Sequence, residues 1–534
     1  MFWSILCVGI LSVPLFYLLV GVFYSATDNW VHFADHLLAH YMLHTLYLAI
    51  GVGILSLFIG IGTAWIVSVY RFPGRDLLAA GLALPLAIPV YIVAYTYNGI
   101  FDFTGPVYHF TQTYFADAEG RGMLLDIQTM PGLIVLMAFN LYPYVYLITR
   151  ASFSRQSAAL LEASQSLGQS PRQTFFRIAL PLARPAYVGG VTLVLMEVLN
   201  EYGAVHNFGI DTFTTGIFKA WFGMGDTHLA IRLAVILMGI VAALILIEYF
   251  QRQRTRSESH APSGHALKCI PLKKGQAVAA IFFCLFPVLI GFIIPVAQLF
   301  AWSLQTLEHW PTRLLWQSVR NSFFLAAATA ALAALFALLI SYTVRLHRNA
   351  LAHGLSRVAI LGYSIPGAVI AIGVMLPITW LETRLDAFAR VRWEVSTGLF
   401  LSGTIVILIY AYLVRYLAIA FSSIDAGFSR VSLNLDEAAR SLGSSPLVTF
   451  FRIDLPLIRG AVLAGAMLVF IDLLKELPLT LILRPFNFTT LAIQAFEMSS
   501  DEQIRQSSPF SLVIIATGLL PVIWLSHLIG SEKS

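Results

Sequence analysis

Residues 162–186, EASQSLGQSPRQTFFRIALPLARPA, return 275 positions later as residues 437–461, EAARSLGSSPLVTFFRIDLPLIRGA, with 17 of 25 positions identical and no gap. A segment repeated this closely must build one structure twice, in two comparable settings. The setting is apolar: 58% of the 534 residues are hydrophobic and 11% are charged, against about 25% charged in soluble domains. A membrane-crossing helix needs about 20 apolar residues. Candidate runs lie at 3–24, 44–69, 77–100, 130–149, 186–206 and 229–249, then at 278–303, 321–344, 356–380, 398–420, 461–483 and 509–530. The expected fold class is an all-α integral membrane protein of about 12 transmembrane helices, arranged as two parallel six-helix repeats.

Each repeated segment reads as a polar helical hairpin. Gln156 to Leu167 predicts a helix, with Leu160, Ala163, Ser164 and Leu167 on one face. Gly168 supplies a left-handed stop. Ser170 then caps a second helix that has Pro171 at its first position. That helix carries Phe175, Phe176 and Arg177 and is expected to end near Leu180-Pro181. Gly443, Ser445-Pro446, Phe450, Phe451, Arg452 and Leu455-Pro456 fill the same places in the second copy. A plain connector has little reason to recur so closely, so two equivalent docking points for a soluble partner are expected.

The repeat divides the chain into a first half of candidate spans (1–250), a polar, basic linker expected to be flexible (251–275) and a second such half (276–534). LPLAIPVYIVA from Leu84 aligns with LGYSIPGAVIA from Leu361, setting Pro89 against Pro366. Six spans per half give both halves one orientation, and a pathway is expected between them. With both termini inside, the inner side collects 22 of the 33 Lys and Arg, the outer side 10, and Lys475 falls within a span. This positive-inside bias puts both repeated segments in the cytoplasm. The net charge of +5 therefore belongs to the membrane's inner face and is no sign of nucleic-acid binding. Residues 1–24 lack a basic start and have a counterpart in Ala279–Trp302, so they read as a span rather than a leader.

No GxxxxGK[ST], HExxH or GxSxG motif occurs, and Cys7, Cys269 and Cys284 lack metal-ligand spacing. The chain is therefore not expected to be an enzyme, and energy must come from a partner or an ion gradient. Four carboxylates interrupt the spans that follow the repeated segments: Glu197 and Glu201, then Asp472 and Glu476. Such groups line a pathway or sit in buried ion pairs. Tyr91, Tyr95 and Tyr97 could line a polar route or anchor at the interface. His32, His36, His40 and His44, with Asp35, form a stripe that reads either as a divalent-metal site or as the polar face of an interfacial helix.

The pattern E-A-A/S-x-S-L-G followed by L-P-L resembles the EAA loop in membrane subunits of ABC importers. In that family the loop is a cytoplasmic coupling helix that fits a groove on the ATP-hydrolysing subunit. The resemblance gives that role to Glu162, Ala163 and Gly168, and to Glu437, Ala438, Ala439 and Gly443, with Ser164 departing from the pattern. It implies a type I importer-like permease in a bacterial inner membrane. It also implies an ATPase dimer below and a periplasmic binding protein above. ATP and magnesium would be held by the ATPase, and this chain is expected to bind no cofactor or resident metal. Gly209–Asp226 and Leu473–Glu502 are similar to segments of ferric-iron importers among the fused two-domain permeases. Thiamine permeases share that architecture and form the alternative. A secondary transporter also fits twelve spans but not a doubled EAA loop, and a membrane-bound enzyme would need a catalytic constellation.

Overall fold

The computed structural model describes residues 1–23, 25–115, 126–155, 164, 168–255, 270–347 and 349–531. Nearly every described element is a helix, because a chain this apolar can satisfy its backbone polar groups in lipid only within helices. The exception is a two-residue parallel pairing, Tyr70 with Ile270 and Arg71 with Pro271. It ties the end of the 251–275 linker to the turn after the Leu38–Val69 helix, while linker residues 256–269 lie outside the described set.

Among the described residues, nine helices are long and apolar enough to cross a membrane. Two bent pairs raise this to eleven: Arg75–Ala87 with Val90–Phe115 at 91°, and Arg172–Leu182 with Arg184–Asn200 at 69°. The last expected span, 509–530, falls within the helix Ile504–Ser531. Eleven of the expected twelve spans are thus met by length and composition among the described residues.

The repeat is visible element by element. Leu38–Val69 has its counterpart in Thr312–Leu346, and Met130–Arg155 in Ile405–Ser429. The motif aligned on Pro89 and Pro366 folds identically in both halves. A 3-10 turn (Leu84–Ala87, Leu361–Ser364) is followed by an extended residue. The proline then caps a helix, Val90–Phe101 or Gly367–Trp393. Proline lacks the N–H a continuous helix would use and forces the residue before it out of α geometry, so the break is written into the sequence.

One expectation is corrected. In the first copy the second helix of the hairpin ends at Leu182, beside the expected Leu180-Pro181, but in the second copy it does not end at Leu-Pro. In the second copy it runs from Pro446 through a π turn, Phe450–Asp454, and on to Leu474. The π turn directly precedes Pro456 and widens the ladder where that proline has no donor. In the first copy the same path bends at Ala183. From Leu180 to Ala186 the copies differ at two positions, Ala183 for Ile458 and Pro185 for Gly460, and of these the proline is the helix breaker. Gly460→Pro is therefore expected to bend the second helix as well, at a cost of about 3 kcal/mol, read as a lowered melting temperature in detergent. An unchanged melting temperature would show that this helix tolerates a bend there.

The chain forms two compact units that do not follow its order. One contains Met1–Val31, Ile217–Met238 and Pro311–Gln494; the other contains His32–Gly216, Gly239–Trp310 and Ala495–Ser534. In the first unit Thr312–Leu346, Ile405–Ser429 and Leu455–Leu474 pack on one another. The amino-terminal helix, Phe2–Gly21, joins them through Ser4 Oγ to Thr343 Oγ1 (2.6 Å) and Tyr410 OH to the Ile10 carbonyl (2.6 Å). Its outer end is latched by Asp226, which accepts from Thr27 Oγ1 (2.8 Å), Asn29 Nδ2 (3.0 Å) and Leu229 N–H (3.0 Å). Partial burial pushes the Asp226 carboxyl up, and these donors outweigh it and hold the group below the usual range. In the second unit Leu38–Val69, Met130–Arg155 and Arg184–Asn200 form the equivalent core, and the 274–305 helical segment packs on it, with Phe286 against Phe139 at 5.6 Å. The first helix of each half thus serves the core of the other.

Candidate functional site

From Gly168 and Gly443 onward the repeated segment is built alike in both copies, while the helix expected over Gln156–Leu167 lies, Ser164 excepted, outside the described residues. In the second copy the docking helix Leu433–Ser441 is capped by Ser432, which accepts from Asn434 N–H (3.3 Å). Its chain reverses at Gly443, φ +81°, closed by Ser444 N–H to the Ala439 carbonyl (3.0 Å). Gly168 has φ +79°, and Gln169 N–H reaches the Ser164 carbonyl at 3.2 Å. Ser445 then caps the next helix through Val448 N–H (3.4 Å). Ser170 does so through Gln173 N–H (3.4 Å), while Gln173 Oε1 accepts from Ser170 N–H (2.9 Å), a reciprocal capping box.

The departure at Ser164 has a local reason. Its hydroxyl bonds Thr174 Oγ1 at 2.8 Å. The second copy has Ala439 there, and Thr449 Oγ1 has no hydrogen-bond partner among the described residues. Glu162 and Ala163 lie outside the described residues, while Glu437 and Ala438 are exposed.

Both copies turn one phenylalanine in and one out. Phe175 packs on Trp65 (4.9 Å between ring centres) and Phe450 on Tyr342 (4.7 Å), which anchors the first hairpin to Leu38–Val69 and the second to Thr312–Leu346. Phe176 and Phe451 are 64% and 62% exposed, and Leu442 and Leu447 reach 89% and 68%. These exposed side chains give each hairpin an apolar outer surface.

The four intramembrane carboxylates each have a protein partner. Glu476 accepts from Arg415 Nη1 (3.1 Å), from Leu479 and Thr480 N–H (both 3.1 Å) and from Thr480 Oγ1 (2.8 Å). It stands where the span breaks between Leu455–Leu474 and Pro478–Leu483, capping the second piece. Glu201 occupies the equivalent break and accepts from Ala204 N–H at 2.9 Å. Asp472 pairs with Lys475 (3.0 Å), one turn away, and Glu197 accepts from Tyr144 OH (3.3 Å).

Arg415 and Gly367 are functional neighbours that the sequence reading missed. A Cβ at Gly367 would collide with Arg415 Nη1 and lie 2.8 Å from Glu476 Oε1. The first half carries Asn140 and Val90 at the corresponding places. Asn140 donates instead to the Pro85 and Ile88 carbonyls (3.1 and 3.0 Å), so no room for a guanidinium is needed. Arg415 stands inside the expected 398–420 run, and an arginine in such a run was the available signal.

Of the tyrosines, Tyr95 is buried against Ser511 and Tyr97 donates to the Ile290 carbonyl (2.8 Å). The histidine stripe divides at Leu37. His32 and His36 belong to Asp28–His36 (ring centres 4.9 Å apart), and His40 and His44 to Leu38–Val69 (3.9 Å). His40 Nε2 lies 3.8 Å from Asp211 Oδ2. Among the described residues no group of three or more His, Cys, Asp or Glu side chains could hold a metal ion.

In the second unit, the carboxyl ends of Val90–Phe101 and Gly203–Asn207 and the start of Ile504–Ser531 enclose a polar cavity of about 880 Å³. Gln128 Nε2 bonds Asn98 Oδ1 (2.6 Å) and Asn98 Nδ2 bonds Asn207 Oδ1 (3.0 Å), which fixes one wall. Asp102, Asp126 and Glu502 line it with a single arginine, Arg505. Glu502 is held at φ +62°, an uncommon conformation for a residue with a side chain.

Residues 56–256 and 332–530 each match the family described as the binding-protein-dependent transport system inner membrane component. The chain is 26% identical to the Fe(3+)-transport system permease protein FbpB 2 of Haemophilus influenzae, with 98% of each chain covered. It is 21% identical to the ferric transport system permease protein FbpB of Actinobacillus pleuropneumoniae, over 92% of this chain and 71% of that one. It is 32% identical to the sulfate transport system permease protein CysT of Escherichia coli, over 27% of this chain and half of that protein.

Proposed function

The chain belongs to the binding-protein-dependent transport system inner membrane components, with two copies of the domain fused in one polypeptide, and from that premise we propose that it carries ferric iron inward across a bacterial inner membrane. Two subunits of a cytoplasmic ATPase dock on its two loops, and a periplasmic binding protein delivers the iron from the other side. The observation that carries the docking is the pair of loops, equally capped and reversed, each presenting an outward phenylalanine, Phe176 or Phe451. ATP and magnesium are then the ATPase's, and this chain is a conduit whose motion is imposed on it.

Iron is favoured as cargo by likeness over the whole chain to two iron permeases, against a quarter of the chain for the sulfate permease. The cavity adds a physical argument. Three carboxylates against one arginine set a negative potential that attracts a hard cation and repels sulfate. Cells producing this chain with its ATPase and binding protein are expected to accumulate radiolabelled ferric iron, and cells without the chain are not. Uptake of sulfate or thiamine in place of iron would overturn the assignment of cargo and leave the ATP-driven permease intact.

A further inference from the structure

Arg345, at the end of Thr312–Leu346, has every donor of its guanidinium engaged. Nε and Nη2 grip Asp436 in a fork (2.8 and 3.0 Å). Nη1 bonds the Phe428 and Val431 carbonyls (3.1 and 3.2 Å), and Nη2 also reaches the Ser432 carbonyl (3.4 Å). Asp454 lies 3.5 Å from Nη2 on the other side, and the guanidinium stands over the Phe428 ring at 5.3 Å. The Arg345 side chain is 5% exposed and that of Asp454 fully buried. One side chain thereby joins a span, the end of Ile405–Ser429, the docking helix and the π turn behind it. A planar fork with five fixed donors can do this, and a lysine cannot.

The first copy cannot make this junction. At the corresponding positions it carries Ser68, Leu161 and Ala179 in place of Arg345, Asp436 and Asp454, Ser68 being matched by the pairing of Trp65 with Tyr342. Two segments that are otherwise near copies therefore differ in whether an ion pair ties the loop to its span. A loop so fixed must move with the Thr312–Leu346 helix when a partner pushes on it.

We propose that Arg345 is a positioning residue that makes the second docking loop the rigid lever through which the ATPase drives the membrane helices, a role the first loop does not share. The proposal rests on the docking reading above. Removing the arginine alone strands two buried carboxylates and risks misfolding, so the informative variant copies the first loop: Arg345→Ser with Asp436→Leu and Asp454→Ala. Membrane abundance, co-purification of the ATPase, ATP hydrolysis and iron uptake are measured on the same complex in vesicles. The expected result is normal abundance and a full complement of ATPase, with uptake per ATP hydrolysed falling about tenfold, the scale on which loss of a coupling free energy acts. Arg345→Lys, which keeps the charge and loses the fork, is expected to fall between. Unchanged uptake per ATP, or a lysine variant equal to the wild type, overturns the proposal. Loss of the ATPase from an abundant variant also overturns it, because Arg345 would then serve docking. If the unaltered protein itself retains no ATPase, it is the docking reading that fails.

Discussion

Gly168→Val combined with Gly443→Val is expected to leave the protein inserted in the membrane and unable to hold or drive its ATPase. At both positions φ is near +80°, where a β-branched residue is a genuine outlier. The left-handed conformation costs about 1–2 kcal/mol per residue for a side chain with Cβ. Space is not the obstacle, since a Cβ at either position meets nothing within 4 Å. The penalty is therefore local to the reversal, and the chain escapes it by swinging the docking helix away from the helix capped by Ser170 or Ser445. The span cores are untouched, so membrane abundance should hold. Each single variant should be impaired less than the pair, because two ATPase subunits engage two loops. The measurement is co-purification of the ATPase beside membrane abundance. Full retention and full uptake in the double variant would reduce both loops to connectors.

The second large effect is expected at Glu476. Glu476→Ala strands the buried Arg415 and removes the acceptor of two backbone N–H groups at the break in the span. Removing one partner of a buried ion pair costs about 3–5 kcal/mol, so the variant should melt far below the wild type in detergent. Glu201→Ala removes a cap at the equivalent break, where Asn140 replaces the arginine, and should cost about 1 kcal/mol. A Glu476 variant that melts normally but transports poorly would overturn the structural role and return the residue to the pathway. Similar losses at both sites would show that the cap, not the arginine, carries the energy.

The docking loops were legible because their signals are local. Gly168 and Gly443 mark left-handed reversals and Ser170-Pro171 and Ser445-Pro446 mark helix starts, each decided within about one turn of helix. The proline breaks before Val90 and Gly367 are local in the same way. Their alignment was read from the sequence, though not the bend they impose. The partners of the carboxylates were not legible. Asp472 meets Lys475 three residues on, but Glu476 reaches back 61 positions to Arg415, and nothing in the intervening sequence gives the relative rotation of the two helices. Arg345 was visible only as one positive charge on the inner side. Its place between Asp436 and Asp454 depends on three segments meeting.

The sequence alone determined that the chain is apolar, duplicated, helical and equipped with two matching polar hairpins, since composition, periodicity and capping act over a few residues. Only the tertiary structure decided which helix serves which core. Phe2–Gly21 packs with residues of the second half, and the 274–305 segment with those of the first. Apolar helices in lipid have no hydrophobic preference among neighbours. Their partners are chosen by shape and by a few buried polar contacts, such as Ser4 with Thr343. It also decided that two loops alike at 17 of 25 positions are held differently, because the arginine that ties the second one down lies outside the repeat, on the Thr312–Leu346 span.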